Sequence, residues 1–281
     1  MIDKEKLKRR FSRNAKNYDE YANVQKKMGS FLVDNLVKHT IIECSQIKKI
    51  LEIGCGTGYV TRKLANDYPN AQITAVDIAP GMIELVKSTI QNNNIDFICA
   101  DIEEIYIVDN YDLIVSNATF QWLNDFEKTV ARLIGILNEN GILCFSTFGQ
   151  HTFQELHEAF DKAKNILEIE GAVSPGQVFY SLNDLEQIIY SLMGQNNQNG
   201  LNIHSFESYE REYFDRCIDF LNTVKKIGAN KSQRGKNTSN PGFIEKVIEI
   251  YDNDYSADNK VVATYHNLYF YLVNNRFNAI G

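Results

Sequence analysis

Apolar residues follow two rhythms along the chain. Short runs at 49-KILEIG-54, 72-QITAVD-77, 95-IDFICA-100, 111-YDLIVSN-117 and 141-GILCFSTF-148 predict buried strands. Helical spacing fills the gaps at 58–66, 80–91 and 126–137, with a turn at Pro69-Asn70. Strand and helix alternate, which predicts an α/β fold: a parallel sheet with helices on both faces. Ahead of the first strand, Leu7, Phe11, Phe31, Leu32, Leu36 and Val37 predict helix across residues 5–40.

Past Phe148 the rhythm changes. Helical patterns at 152–168 and 183–193 have no strand between them, and a polar loop at 194–200 leads into a strand-like stretch at 201–214. Helices at 215–228 and 243–253 flank a second polar loop, and the aromatic, β-branched run 261–274 predicts a last strand. The later helices interrupt the sheet instead of extending its alternation. The expected organisation is an N-terminal helical segment (1–45), a core (46–150), a helical insertion or lid (151–200), and C-terminal strands (201–281) carrying a helical insertion at 215–253.

Composition narrows the class. With 44% hydrophobic and 23% charged residues the chain should fold in water, and no apolar run reaches the roughly 18 residues of a membrane helix. The charged N-terminus lacks the apolar centre of a secretory signal, so the expected compartment is the cytoplasm. Five scattered cysteines without a C-x-x-C pair and five histidines without H-x-x-x-H spacing predict neither a disulfide framework nor a metal site. Cys55, Cys99 and Cys144 sit in or beside apolar runs and are expected to be buried. A formal charge of −7 disfavours nucleic acid as a partner. Two basic groups stand out against it, Lys4, Lys6, Lys8, Arg9, Arg10, Arg13 and Lys16 at the start, and Lys225, Lys226, Lys231, Arg234 and Lys236 late in the chain. Each fits either a solvated surface or a partner-binding one.

The chemistry concentrates at 50-ILEIGCGTGYVTRKL-64. A strand ending in Gly54-Cys55-Gly56-Thr57-Gly58 and opening a helix brings backbone N–H groups close to a ligand, at the carboxyl ends of the strands. Asp77, at the end of the second strand, can accept hydrogen bonds from both hydroxyls of a ribose. A dinucleotide fingerprint, G-x-G-x-x-G, fails because Tyr59 occupies its last position, and no G-K-[ST] follows for a phosphate loop. The observed pattern is E-x-G-x-G-x-G, led by Glu52, which alternatively is a buried acid bonding the turn. Asp101 is alternatively a helix cap, given Glu104 three residues on, and Met82 and Ile83 are core or pocket wall.

LEIGCGTG, AVDIAPGMI and CADIEE together resemble the class I S-adenosylmethionine-dependent methyltransferases, with a Rossmann-like mixed sheet. The resemblance implies S-adenosylmethionine as cofactor and S-adenosylhomocysteine as product, with no metal. It places the methionine part over the turn of Gly54, Gly56 and Gly58, the ribose hydroxyls on Asp77 and the adenine beside Asp101, with Tyr18, Glu52, Ile78, Met82, Ile102 and Asn117 also expected to bind the cofactor.

Between strand and helix, Ser116-Asn117-Ala118-Thr119 replaces the Asn/Asp-Pro-Pro-aromatic sequence of base-directed methyltransferases. SN-x-x-F-Q-W, 11-FSRNAKNYDEYANVQ-25, SPGQVFYSLNDL and 222-NTVKKIGAN-230 resemble more narrowly the malonyl-acyl-carrier-protein O-methyltransferases of biotin synthesis. That resemblance implies methyl transfer to the free carboxylate of a malonyl thioester on acyl carrier protein; the carrier of these relatives is acidic, so the basic group Lys225, Lys226, Lys231, Arg234 and Lys236 is the expected docking surface. Alternatives are a methyltransferase for another small acid or a quinone-like acceptor, and a non-catalytic cofactor-binding regulator. A carboxylate is already ionised near neutral pH, so no general base is expected; the enzyme must supply alignment and exclude water. Aromatic rings suit a sulfonium, and Tyr18, Phe120, Trp122 and Tyr180 are the candidates. Arg211, His151 and Tyr180 are the candidates for orienting the acceptor carboxylate. Tyr18, Trp122, Tyr180 and Arg211 are thus the expected positioning residues.

Overall fold

A computed structural model describes residues 1–36, 46–171, 173–195, 200–228 and 241–275. Strands β1 (Lys49–Ile53), β2 (Gln72–Asp77), β3 (Ile95–Cys99), β4 (Tyr111–Asn117) and β5 (Leu137–Phe148) run parallel. Strands β6 (Leu201–Phe214), β7 (Ser256–Ala257) and β8 (Lys260–Asn274) extend the sheet antiparallel, in the order β3-β2-β1-β4-β5-β8-β6 with β7 paired to β8. The strand order reverses between β1 and β4, and a crevice opens at their carboxyl ends.

Period-two alternation divides the core. Ile50, Ile73, Leu113 and Cys144 face one side of the sheet, and Leu51, Ile53, Ile114 and Leu143 the other. Helices α1 (Lys4–Asn14), α2 (Tyr18–Tyr21), α3 (Asn23–Asp34), α4 (Tyr59–Asp67), α5 (Pro80–Thr89) and α6 (Phe126–Gly135) surround the parallel part. The N-terminal stretch is therefore broken helix: a 3-10 turn at Ala15–Asn17 and the buried, non-helical Ala22 let the chain bend around the crevice. Helix α1 lies tightly on α5 at Gly81, whose N–H donates to Ser12 Oγ at 3.1 Å and whose missing Cβ would meet the Ser12 carbonyl at 2.6 Å.

Later come α7 (Gln154–Ile166), α8 (Leu182–Gln195), α9 (Cys217–Lys226) and α10 (Pro241–Asp254). Helix α8 is not the lid expected for this region. It buries Leu185, Ile189 and Leu192 beside Val130 and Leu133 of α6, because its apolar stripe matches the open sheet face there. Helices α7, α9 and α10 pack on the opposite sheet face and on one another, through Phe160–Phe243 (5.3 Å) and Phe220–Tyr251 (5.8 Å) ring contacts. Cys99 is exposed instead of buried because β3 is the edge of the sheet.

Candidate functional site

Beyond Ile53 the chain turns through Gly54, Gly56 and Gly58, all left-handed at φ of 74°, 54° and 84°. A Cβ on Gly54 would collide with the Thr119 side chain, whereas none of the surrounding heavy atoms comes within 4 Å of a Cβ on Gly56, so that position is open to the crevice. Asp77 closes the turn: Oδ2 accepts from the Gly56 N–H (2.9 Å) and Oδ1 from the Ala79 N–H (2.7 Å). Burial nevertheless raises its carboxyl to about 6, against the pull of those two donors. Glu52 is only 2% exposed, burial raises it to about 7, and its Oε2 has no hydrogen-bond partner among the described residues. Neither acid has a paired cation among the described residues.

The N-terminal helices supply the opposite wall. The Phe11 ring meets Tyr18 at 6.3 Å and Trp122 at 5.9 Å, both edge-on. Burial, reinforced by the charges of Asp77 and Asp19, holds the Tyr18 hydroxyl above the ordinary tyrosine range. Lys4 reaches Asp101 (3.3 Å) and Glu103 (2.5 Å), and Thr57 Oγ1 donates to Asp19 (2.6 Å), so α1 and α2 are each pinned to the core beside the crevice. Burial opposes ionisation of Glu103, yet the Asn124 N–H, Lys4 and the Asp125 N–H together hold it below the usual glutamate range.

Of the residues expected from the sequence, Tyr18, Gly54, Gly56, Asp77 and Ile78 line one continuous cleft. Met82, Asp101, Ile102, Asn117 and Trp122 line it too. Glu52 borders an adjoining recess that shares Tyr18, Gly54, Gly56 and Asn117 with the cleft. Gly58 touches neither; it starts α4, and a Cβ there would strike Val86 at 2.5 Å, so packing is its role. Asn117 is also structural, donating to the Gln25 carbonyl (2.9 Å) and accepting from Ser146 (2.7 Å). Lys4, Leu7, Phe11 and Thr119 also line the cleft, though the sequence pointed to none of them as a site residue. Phe11 stands in the N-terminal aromatic motif, which was the available signal.

A second, mostly apolar cavity adjoins the first two, between Phe148, Phe153 and Leu156 on one side and Leu221 and Val224 of α9, with Ile227 just past its end, on the other. It meets the cleft at Trp122 and the recess at Gln25. Among the described residues it is lined by no lysine, arginine or acid. The expected carboxylate donors are elsewhere. Arg211 is exposed on the outer strand β6, opposite Thr264. His151 is exposed and packs on His266 at 5.2 Å. Tyr180, 52% exposed, borders a different recess near Met1 and Phe126, because the segment before α8 runs along the outside of the sheet. Phe120 is core, stacked on Phe145 at 4.7 Å. A broader hollow beside Lys87, Asn92 and Val108 runs along the edge strand β3 from Ile95 to Ile98 and touches no residue of the glycine turn.

The donor set fits an elongated ligand with hydroxyls for Asp77, an ammonium for the unsatisfied Glu52 and a flat ring near Ile78, Met82 and Ile102. No cluster of metal-binding side chains occurs among the described residues, and no helix of theirs is long and apolar enough to cross a membrane.

Residues 51–145 match a family model described as a methyltransferase domain. The chain is 43% identical over 270 residues to a malonyl-(acyl-carrier protein) O-methyltransferase of Priestia megaterium, covering 96% of this chain and 97% of that one. It is 44% identical to another of the same name from Acetivibrio thermocellus, covering 95% and 92%. Among solved structures it resembles the YcgJ protein from Bacillus subtilis (TM-score 0.58, 12% identity, covering 87% of this chain and 98% of that one). It also resembles the plantazolicin methyltransferase BpumL in complex with a monoazolic desmethylPZN analog and SAH (TM-score 0.52, 14% identity, covering 95% and 90%). These two likenesses establish the fold.

Proposed function

The chain belongs to the malonyl-(acyl-carrier protein) O-methyltransferase family, and from that premise we propose that it methylates the free carboxylate of a malonyl thioester on acyl carrier protein, using S-adenosylmethionine. The observation that carries this is the meeting of a polar cleft, built around Asp77 and Glu52, with an uncharged apolar cavity at Gln25 and Trp122.

Asp77 would receive the ribose hydroxyls, Glu52 the amino group, and the wall of Ile78, Met82 and Ile102 the adenine. When bound, the cofactor supplies an electrophilic methyl group on a sulfonium. Around it, Phe11, Tyr18 and Trp122 offer aromatic surface to positive charge, a contact of roughly 0.5–2 kcal/mol when desolvated. The chain needs no base, since the acceptor oxygen is already ionised; it aligns the two groups and keeps water out. The second cavity admits the acyl end and its thioester arm between α7 and α9. There the Gln177 Oε1, buried without a partner, is placed to accept an N–H from an amide of the arm. The methyl ester masks the acid so that the chain can be elongated toward pimelate for biotin.

Carrier docking joins the two basic groups. Lys225 and Lys226 are exposed at the end of α9, while Lys231, Arg234 and Lys236 lie outside the described residues. Asn14 Nδ2 donates to the Lys225 carbonyl (3.4 Å) and Lys226 lies 5.9 Å from the Tyr21 ring, which brings exposed Arg13 and Lys16 to the same corner. The other side of α9 lines the acyl cavity, so an acidic carrier seated there would deliver its arm directly.

Mass spectrometry of malonyl-carrier protein incubated with the enzyme and S-adenosylmethionine tests the activity. One added methyl group is expected, lost with Asp77→Ala. Unmodified carrier in the presence of cofactor-binding enzyme would refute it.

A further inference from the structure

We propose that Gln25 and Trp122 hold the acceptor carboxylate between two uncharged N–H donors, the Gln25 amide and the Trp122 indole, at the junction of the three cavities. This rests on the methyl-transfer function above and assigns the group that orients its acceptor.

Gln25 lies on α3 and is only 7% exposed. Its carbonyl is held by Asn117 Nδ2 at 2.9 Å, which fixes the residue against the end of β4. Its side-chain amide makes no hydrogen bond among the described residues, and neither does the Trp122 indole N–H. Both groups therefore remain open to the cavities they line and are free to take a ligand acceptor. Gln25 is the residue common to the Glu52 recess and the acyl cavity, and Trp122 the one common to the cofactor cleft and that cavity. An acceptor oxygen in line with the donor methyl must sit where these spaces meet.

The other polar groups around the acyl cavity are engaged or placed away from that junction. Thr152 exchanges hydrogen bonds with the His266 backbone (3.1 and 3.2 Å), and the Tyr265 hydroxyl donates to Glu212 at 2.9 Å. Gln177 Nε2 donates to the Gln121 carbonyl. His157 borders the acyl cavity alone. Two neutral donors suit the chemistry: they fix the direction of the carboxylate without the charge transfer to a guanidinium fork that would blunt its nucleophilicity. They also give selectivity, because an acetyl thioester has no carboxylate to offer the pair and would cover both donors without pairing them.

The test is calorimetric binding of malonyl- and acetyl-carrier protein to enzyme loaded with S-adenosylhomocysteine, for the wild type, Gln25→Met and Trp122→Phe. Wild-type enzyme should prefer the malonyl form by roughly ten- to a hundredfold, the range of hydrogen bonds to a charged group. Each variant should lose most of that preference when compared at saturating S-adenosylhomocysteine, so that any change in cofactor affinity does not enter the comparison. Preference kept in both variants overturns the assignment and leaves the methyl-transfer function standing. Weakened cofactor binding with preference kept also overturns it, by giving the Gln25 amide to the cofactor. Wild-type enzyme that neither methylates nor prefers the malonyl form refutes the parent function and this inference together. Should Gln25→Met fail to fold, Gln25→Asn, which shortens the reach but keeps the amide, is read by the same criteria.

Discussion

Glu52 and Asp77 are acids that the fold keeps buried without counter-ions, and the cost has a definite pH signature. Burial raises Asp77 to about 6 and Glu52 to about 7, from ordinary values of 3.8 and 4.5. Between the ordinary and folded values the native state binds the extra proton, so stability from these groups is fullest below the unfolded values and falls as pH rises through the folded ones. The cost is of order 3 kcal/mol for each group above about pH 7. Ligand-free enzyme should therefore melt higher near about pH 5.5 than near about pH 8 if these groups dominate, and Glu52→Gln should flatten the profile. A donor ligand needs both acids ionised, so S-adenosylmethionine should bind more tightly as pH rises through this window, releasing protons. Calorimetry in buffers of different ionisation heat measures the release, and a proton count of zero at about pH 6 would contradict the assignment of these residues.

Among the elements, the position of α1 depends on the missing side chain at Gly81. Gly81→Val should push it from α5, because the Cβ alone would lie 2.6 Å from the Ser12 carbonyl. A loss of about 1–3 kcal/mol is expected, with faster amide exchange over residues 4–17 and weaker cofactor binding. Gly135→Ala, where nothing lies within 4 Å of a new Cβ, is the control and should be neutral or slightly stabilising. This contrast also separates what was legible beforehand from what was not. The parallel strands and Asp77 could be read because alternation, glycine torsions and a strand-end acid are local constraints. That α8 joins the core, and that Arg211 and Tyr180 face outward, depends on how an antiparallel extension folds back, which no local spacing encodes. Gln25 was visible within the N-terminal motif, but its burial at the junction follows only from the bend at Ala22. Helical spacing predicted one continuous stretch there.

At the scale of the molecule, charge is unevenly placed: the chain carries −7 overall, yet the segment that carries Arg13 and Lys16 touches the end of α9 that carries Lys225 and Lys226, through Asn14 and Tyr21. Attraction of an acidic carrier to this corner should weaken with salt over a Debye length of about 8 Å at physiological ionic strength. Reversing all four charges should raise KM for malonyl-carrier protein by roughly tenfold or more at low salt with little change in kcat, and leave KM for a carrier-free malonyl thioester unaltered. Equal losses on both substrates would place the effect in the acyl cavity instead. Helix α1 belongs to two structures at once, as a wall of the cofactor cleft through Lys4, Leu7 and Phe11 and as an edge of the basic corner through Arg13. A carrier docked on that corner, as proposed above, would rest against the helix that walls the cofactor cleft and so hinder the exit of spent cofactor. Turnover would then follow a compulsory order, with the esterified carrier departing first, and S-adenosylhomocysteine should compete with S-adenosylmethionine but not with the carrier in product-inhibition kinetics.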